Sequence, residues 1–480
     1  MGRDFVRLAD YAIEYVGGPE IEYIDARVHN TEIYRLLFNN GDLVSYEYSQ
    51  DEGLGIRIYS KGVVVYSSPN IPSREAIDDT VESMVSRVND LSRRIKPYQE
   101  GFELHPIDEV DIEYIIKEDR PLRDNVDEVI SLINDLDKHI KANSKIKIVN
   151  RHYSLTYRIE NKYFISSDRV RISSRIPRLI LFISLTGKNG EFVSKSFSIG
   201  ATTGIEFLNF DLLLEEVMRR VKAMENILTK AIPSPKDRFN VVVGSEIAGI
   251  IAHEAVGHPF ELDRILGMEG GQAGESYLSY EDINMKIGSK EVYVVDNPSL
   301  EGEYGFYMYD DDGVKVEKRV LIKEGYVNTF LVNRFVGSKI DMKSNGASRA
   351  ADFYHEPLIR MGITYFEEGN LSLEELLEEA GHGIYIVDYT EWNIDDRRIN
   401  QRYTGFEAYL IENGDIGVPI KFPVLESTTR EILGSLAARS NKVKLHPGTC
   451  GKGDPMQPMP VSMGGPELLL KGIRIRSRGG

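Results

Sequence analysis

Phe239-Asn240-Val241-Val242-Val243-Gly244-Ser245-Glu246-Ile247-Ala248-Gly249-Ile250-Ile251-Ala252-His253-Glu254-Ala255-Val256-Gly257-His258-Pro259 concentrates the chemistry of this chain in one strand-turn-helix unit. Phe239 to Val243 has the apolar, β-branched character of a buried strand. Gly244-Ser245 reads as a turn with Ser245 as N-cap, and Glu246 to Val256 as a mostly apolar helix ended by Gly257 and Pro259. His253 and Glu254 ride on that helix, and His258 stands just past its end. The single cysteine, Cys450, lies far downstream in Gly448-Thr449-Cys450-Gly451-Lys452-Gly453, where the flanking glycines predict a shaped loop. Two imidazoles and a thiolate are ligands for zinc or a similar borderline metal, and three protein ligands leave one coordination position open. Glu254, beside the first ligand, is placed to take a proton from the attacking water.

The spacing is unusual. In H-E-x-x-H the histidines stand at i and i+4 on one helical face, whereas His253 and His258 are i and i+5, about 140° apart at roughly 100° per residue. Two local geometries would bring them together. Gly257 could take the left-handed conformation and turn His258 back, or a π-bulge could widen the helix. Either feature alone has a plainer explanation, since paired helical histidines are often core residues and a lone buried cysteine behaves as a small hydrophobe. The metal reading rests on their combination.

The motif resembles the TldD subgroup of the TldD/PmbA metallopeptidases. His253 to His258, continued by Glu261 and Asp263, looks like that subgroup's HExxxH signature. The resemblance runs on through Asp311-Asp312-Gly313, Val320 to Gly325, Asn345-Gly346, Tyr354-His355-Glu356-Pro357, Arg360-Met361, Glu407 to Gly414 and Gly448 to Lys452. It covers most of residues 239 to 470 in order, while the N-terminal half matches only in general layout.

That resemblance implies a metal-dependent, zinc-class peptidase with one divalent ion per active site. His253, His258 and Cys450 would hold the ion, and Glu254 would act as base. It also implies unfolded peptide substrates paired along a strand edge, inside a cavity made by two subunits. The second subunit would be another copy or a related chain lacking the motif. His355 and Arg360 are expected in the substrate cleft. Two other functions are open: a regulatory binding protein, because the family has been described as a modulator of DNA gyrase, and a metal-dependent amidase of small molecules.

Composition narrows the classes. The chain has 480 residues, 41% hydrophobic and 28% charged, ample for two domains with cores of their own. A net charge of −17 argues against a nucleic-acid-binding surface. No run approaches the ~18 apolar residues of a membrane helix, and the N-terminus lacks a signal-peptide pattern. With one cysteine and no possible internal disulfide, the expected compartment is the cytoplasm.

The periodicities predict an α+β protein of two domains. Residues 1–232 read as an antiparallel sheet with long helices, and residues 236–480 as a β-rich domain carrying the metal-site helix, with Pro233-Ser234-Pro235 between them. In the first domain a helical stripe from Phe5 to Val16, closed by Gly17-Gly18, precedes five strands near 21–29, 31–38, 44–50, 53–60 and 63–68. Helices follow near 73–95, 123–142 and 207–231, with strands between 146 and 198. In the second domain strands are expected at 291–296, 314–322, 326–331, 383–390 and 402–411. Ser372 and Glu375 form a capping box for a helix over 373–380. Gly267 to Gly274 reads as a flap beside the site, Asp310-Asp311-Asp312-Gly313 as a solvated turn, and Lys471 to Arg478 as a half-buried edge strand.

Overall fold

The computed structural model describes residues 3–14, 21–94, 103–269 and 274–477. The elements of the first half, in chain order, are α1 (Arg3–Glu14), β1 (Tyr23–Asn39), β2 (Asp42–Ser60), β3 (Val63–Ser67), α2 (Arg74–Arg94), β4 (Val110–Ile115), α3 (Val126–Asn143), β5 (Lys147–Ser166), β6 (Val170–Asn189), β7 (Glu191–Ala201) and α4 (Phe210–Thr229). The strands form one sheet ordered β3-β2-β1-β5-β6-β4, with β7 also paired to β6. All pairings are antiparallel except β4 with β6.

The mixed α+β class is the one expected, but the strand count differs. The four short strands expected between 21 and 60 are two long ones, β1 and β2, because Asn30-Thr31 and Asp51-Glu52 stay in an unbroken ladder where their polarity mimics a turn. Asn40-Gly41 and Lys61-Gly62, all at positive φ, make the turns that separate β1, β2 and β3. The Gly17-Gly18 stop lies outside the described residues, as do residues 270–273 of the glycine-rich segment. Helices α3 and α4 pack on one end of the sheet through Ile133, Leu136, Val217 and Val221. Helices α1 and α2 cover the other end through Ala9, Ile77 and Val81.

The second half is built on two large sheets, beside a two-stranded ladder of Ser348–Arg349 with Leu358–Ile359. In a ten-stranded mixed sheet, Asp237–Val243 lies between Gly383–Ile386, parallel, and Leu468–Ser477, antiparallel. The basic C-terminal strand therefore sits inside this sheet and not at its edge. Its alternation is as expected, with Ile473 and Ile475 buried. A six-stranded sheet ends in the hairpin of Gln457–Gly465 with Lys444–Lys452. The Leu373–Ala380 helix carries the capping box from Ser372 and Glu375, with Gly381 at φ 63 just after it. One continuous apolar cluster, including Val241, Ile251, Leu321 and Leu470, fills the space between the sheets and the metal-motif helix.

The two halves meet through buried charge. Arg57 on β2 bonds Asp25 at 2.7 Å and Asp312 at 2.8 Å, all with side chains at most 4% exposed. Lys162 on β5 reaches Asp311 at 3.2 Å, and Arg178 on β6 donates to the carbonyls of Tyr304 and Phe306 at 3.1 and 2.8 Å. The aspartate run is thus no solvated turn: Asp310, Asp311 and Asp312 are all buried. A run of three carboxylates stays inside because cations and backbone N–H groups from both halves satisfy it, including Arg334 N–H on Asp312 at 3.0 Å.

Removing one member of this network should be costly. Asp312→Ala leaves Arg57 short of a counter-charge in a water-free setting, an expected loss of about 3–5 kcal/mol. Urea unfolding of this variant should show a large fall in midpoint, whereas Glu379→Ala, which removes a surface pair with Lys471, should leave the midpoint unchanged.

Candidate metal centre

The helix beginning at Ser245 is α-helical to Ile250 and then widens, so that Ile251–Gly257 is a π-helical turn. His258 N–H donates to the His253 carbonyl, the i+5 to i bond of that wider turn. The wider turn stacks the two side chains, with ring centroids 4.8 Å apart and planes at 82°. Of the two geometries open from sequence, the π-turn is present and the left-handed glycine is not: Gly257 has φ −51 and ψ −61. Its missing side chain serves close packing, since a Cβ there would lie 1.9 Å from Met361 Sδ. Ser245 is not the N-cap either. Gly244 takes that position with no side-chain cap, and Ser245 Oγ instead meets His446 Nε2 at 2.9 Å.

Cys450 lies on a regular strand, Lys444–Lys452, and not in a loop. Its register opposite Met459 buries the side chain at 6% exposure. The strand passes beside the π-turn so that Cys450 Sγ is 3.4 Å from His258 Nε2. One ligand atom each from His253, His258 and Cys450 lie within 4.8 Å of one another. Arg360, buried completely, donates to the carbonyls of Cys450 and Gln457 and so fixes the cysteine backbone from behind.

A layer of charge that the sequence reading did not assign holds these groups. His258 Nδ1 faces Glu261 Oε2 at 3.1 Å, which selects the tautomer with its proton on Nδ1 and leaves the Nε2 lone pair toward Cys450. Glu261 is itself bonded by Arg264 at 2.6 Å and Lys452 at 3.1 Å. Burial would raise the Glu261 carboxyl, but Lys452, His258 and Arg264 together hold it well below its ordinary value. The signal was in plain sight: Glu261 is three residues beyond His258, and Lys452 two beyond Cys450.

Burial lowers the pKa of both histidines, against the pull of Glu254 and Glu261 on His253 and of Cys450 and Glu261 on His258, so both rings are neutral near pH 7. Burial pushes the Cys450 thiol up, yet the charge that His258 carries when protonated and the Arg360 guanidinium outweigh it and bring the thiol down to about 7. His253 Nδ1 is buried with no hydrogen-bond partner among the described residues. Neutral imidazoles, an acidified thiol and an orphaned ring nitrogen are what a borderline divalent ion would satisfy, so the donor set fits a zinc-class metal.

The three donors and Glu254 open on a cavity of about 610 Å³. Its walls come from both halves: Phe182 and Ser196 to Ser198 of β6 and β7 on one side, Pro447 to Gly451 of the cysteine strand on the other. Glu254 Oε2 accepts from Arg398 Nη1 at 2.6 Å. Arg398 reaches the site from the turn joining Tyr389–Ile394 to Asn400–Gly405, and no local pattern marks it. His355 and Arg360 do not line the cavity. His355 Nδ1 pairs with Asp352 at 2.8 Å and its carbonyl accepts from Arg27 at 2.7 Å, while Arg360 lies behind Cys450.

Three family models match the chain: the PmbA/TldA metallopeptidase domain 1 over residues 24–87, the central domain over 119–225 and the C-terminal domain over 236–477. A metalloprotease of Methanocaldococcus jannaschii is 27% identical over 456 residues, covering 92% of this chain and 95% of that protein. A zinc metalloprotease TldD homolog of Saccharolobus solfataricus is 26% identical, over 68% of this chain and 71% of that one. Among solved structures, a candidate modulator of DNA gyrase from Thermotoga maritima superposes with a TM-score of 0.77 at 15% identity, over 98% of this chain and 100% of that one. This last likeness speaks for the fold alone. Among the described residues no helix is long and apolar enough to cross a membrane.

The geometry gives two expectations. Glu261→Gln should weaken zinc binding about 10–100-fold, because the amide no longer anchors His258 as a carboxylate does; competition with a chromophoric chelator reads this directly. His446, at the cavity wall, is pushed down to about 4, chiefly by burial. The unfolded chain takes that proton at about 6.5, so stability is full above that value and falls as pH drops toward 4, by about 2 kcal/mol between pH 7 and 5. In His446→Gln this part of the acid loss should vanish, as urea midpoints at the two pH values would show.

Proposed function

The chain belongs to the PmbA/TldA metallopeptidase family, and on that premise we propose that it is a zinc-dependent peptidase cutting extended polypeptide. The observation that carries this reading is the meeting of His253, His258 and Cys450 within 4.8 Å on the wall of a cavity that also holds Glu254. His253 Nδ1 or Nε2, His258 Nε2 and Cys450 Sγ hold the ion, which when bound supplies Lewis acidity to the scissile carbonyl and the attacking water. Glu254 Oε2 is committed to Arg398, so the water's proton is taken at Oε1. From there it passes to the leaving amine nitrogen. Glu261 and Arg360 keep the donors in place.

The strand Lys444–Lys452 supports an extended substrate. It ends its sheet, and Pro447 to Gly451 line the cavity, so among the described residues no strand occupies its free edge. A peptide added there would run past Cys450 through backbone bonds that do not depend on its sequence. Phe182 at 38%, Trp392 at 38% and Met456 at 68% are exposed large apolar side chains at this cavity. We read them as surface covered by substrate and by a second subunit, either another copy or a related chain, which closes the cavity against folded proteins. The acidic balance accords with work in the cytoplasm.

Elemental analysis beside a peptide-cleavage assay tests this. His253→Ala and Cys450→Ser should each lose bound zinc, while Glu254→Gln keeps it and loses about 10²–10⁴ in rate. Full zinc occupancy in both ligand variants would remove the assignment. Cleavage of simple amides but not of an unfolded casein-like chain would favour the small-molecule amidase.

A further inference from the structure

The hydrolytic reading leaves one charge unaccounted for: the negative charge that develops on the peptide carbonyl oxygen as water adds to its carbon. Enzymes that cleave amides place a fixed donor at that point, where it acts in a site shielded from water. His355 and Arg360, expected in the substrate cleft, lie outside the cavity lining. Arg398 lines it.

Four observations single it out. Among the described residues lining the cavity, Arg398 is the one arginine or lysine side chain. It stands 2.6 Å from Glu254, hence beside the proposed proton acceptor. That contact uses Nη1, and no carboxylate among the described residues pairs with Nη2.

Its backbone is also fixed in advance. Arg398 has φ 61, a left-handed conformation that a long side chain adopts at a cost. Arg398 N–H donates to the Asp395 carbonyl at 2.9 Å, and Asp395 Oδ1 and Oδ2 accept from Ile399 and Asn400 N–H at 2.7 and 3.0 Å. Thr429 Oγ1 donates to the Arg398 carbonyl, and Thr429 N–H to that of Ile399 at 2.8 Å. A surface arginine needs no such cradle. The turn's geometry is over-determined and aims one guanidinium into the cavity.

We propose that Arg398 is the oxyanion-stabilising catalytic residue of this site, donating from Nη2 to the carbonyl oxygen while Nη1 keeps Glu254 aimed at the water. This deepens the peptidase reading and rests on it. As the water oxygen bonds to the carbonyl carbon, the C=O π pair moves to the oxygen facing Arg398 and the water's proton moves to Glu254. The oxygen's pair then re-forms the carbonyl, the C–N bond breaks, and Glu254 returns the proton to the amine nitrogen. The sum is peptide plus water to acid plus amine.

The test compares a tetrahedral mimic with a ground-state ligand. Calorimetry would measure a phosphinic pseudopeptide binding to zinc-loaded wild type and Arg398→Ala, and the matching uncleaved peptide binding in a Glu254→Gln background with and without Arg398→Ala. Arg398→Ala should bind the phosphinic ligand about 10²–10³-fold more weakly, keep its zinc, and change plain-peptide affinity by less than about threefold. Arg398→Lys should recover part of the loss. Equal weakening of both ligands would overturn the proposal in favour of ground-state binding, and loss of zinc would reduce Arg398 to a positioning residue. Unchanged phosphinic affinity would overturn it outright. A wild type that binds zinc but ignores the phosphinic ligand would instead refute the peptidase reading, and the oxyanion role with it.

Discussion

One backbone hydrogen bond, from His258 N–H to the His253 carbonyl, is the constraint on which the site depends. An α-helical register would point the two imidazoles about 140° apart. The i+5 bond closes that angle without moving either residue in sequence. It is tolerated because Gly257 lets the widened turn lie against Met361, where any side chain would collide. The π-turn is also buried throughout, so its unusual register is held by surrounding packing and not by local propensity.

Around this turn, charge is arranged in layers. The innermost groups are neutral imidazoles and an acidified thiol. Behind His258 stands Glu261, and behind Glu261 stand Arg264 and Lys452, so each buried charge has an opposite one within hydrogen-bond reach. Such a chain orients the donors more firmly than packing alone, and it explains why Lys452 lies two residues from Cys450: one strand delivers both a donor and the cation behind it. The contacts between the halves follow the same logic. Cations on β2, β5 and β6 enter the second half of the chain and meet Asp312, Asp311 and two backbone carbonyls. Because β6 and β7 also form a wall of the cavity, this docking shapes the space in which a substrate would lie.

Much of the second half was legible from local pattern. The strand at Asp237–Val243, the helix after it and the capping box at Ser372 each follow from side chains within a few residues. The first half was less so, because polar residues inside β1 and β2 imitate turns when the long-range ladder that keeps them extended is out of view. The aspartate run was misread for the same reason: its partners, Arg57 and Lys162, come from strands more than a hundred residues away, and only their arrival makes burial affordable.

The sequence by itself determined the mixed α+β class, the residue types of a metal site and the helix that carries His253 and Glu254 with His258 at its end. Donor chemistry and hydrophobic periodicity are written in local order, so reading needs no coordinates. Tertiary structure decided how an i,i+5 pair becomes one-sided, that Cys450 rides on a strand, that the C-terminal strand is interior, and that Arg398 faces Glu254 while His355 and Arg360 lie outside the cavity lining. Those outcomes depend on packing between segments far apart in the chain, whose approach no periodicity or motif encodes.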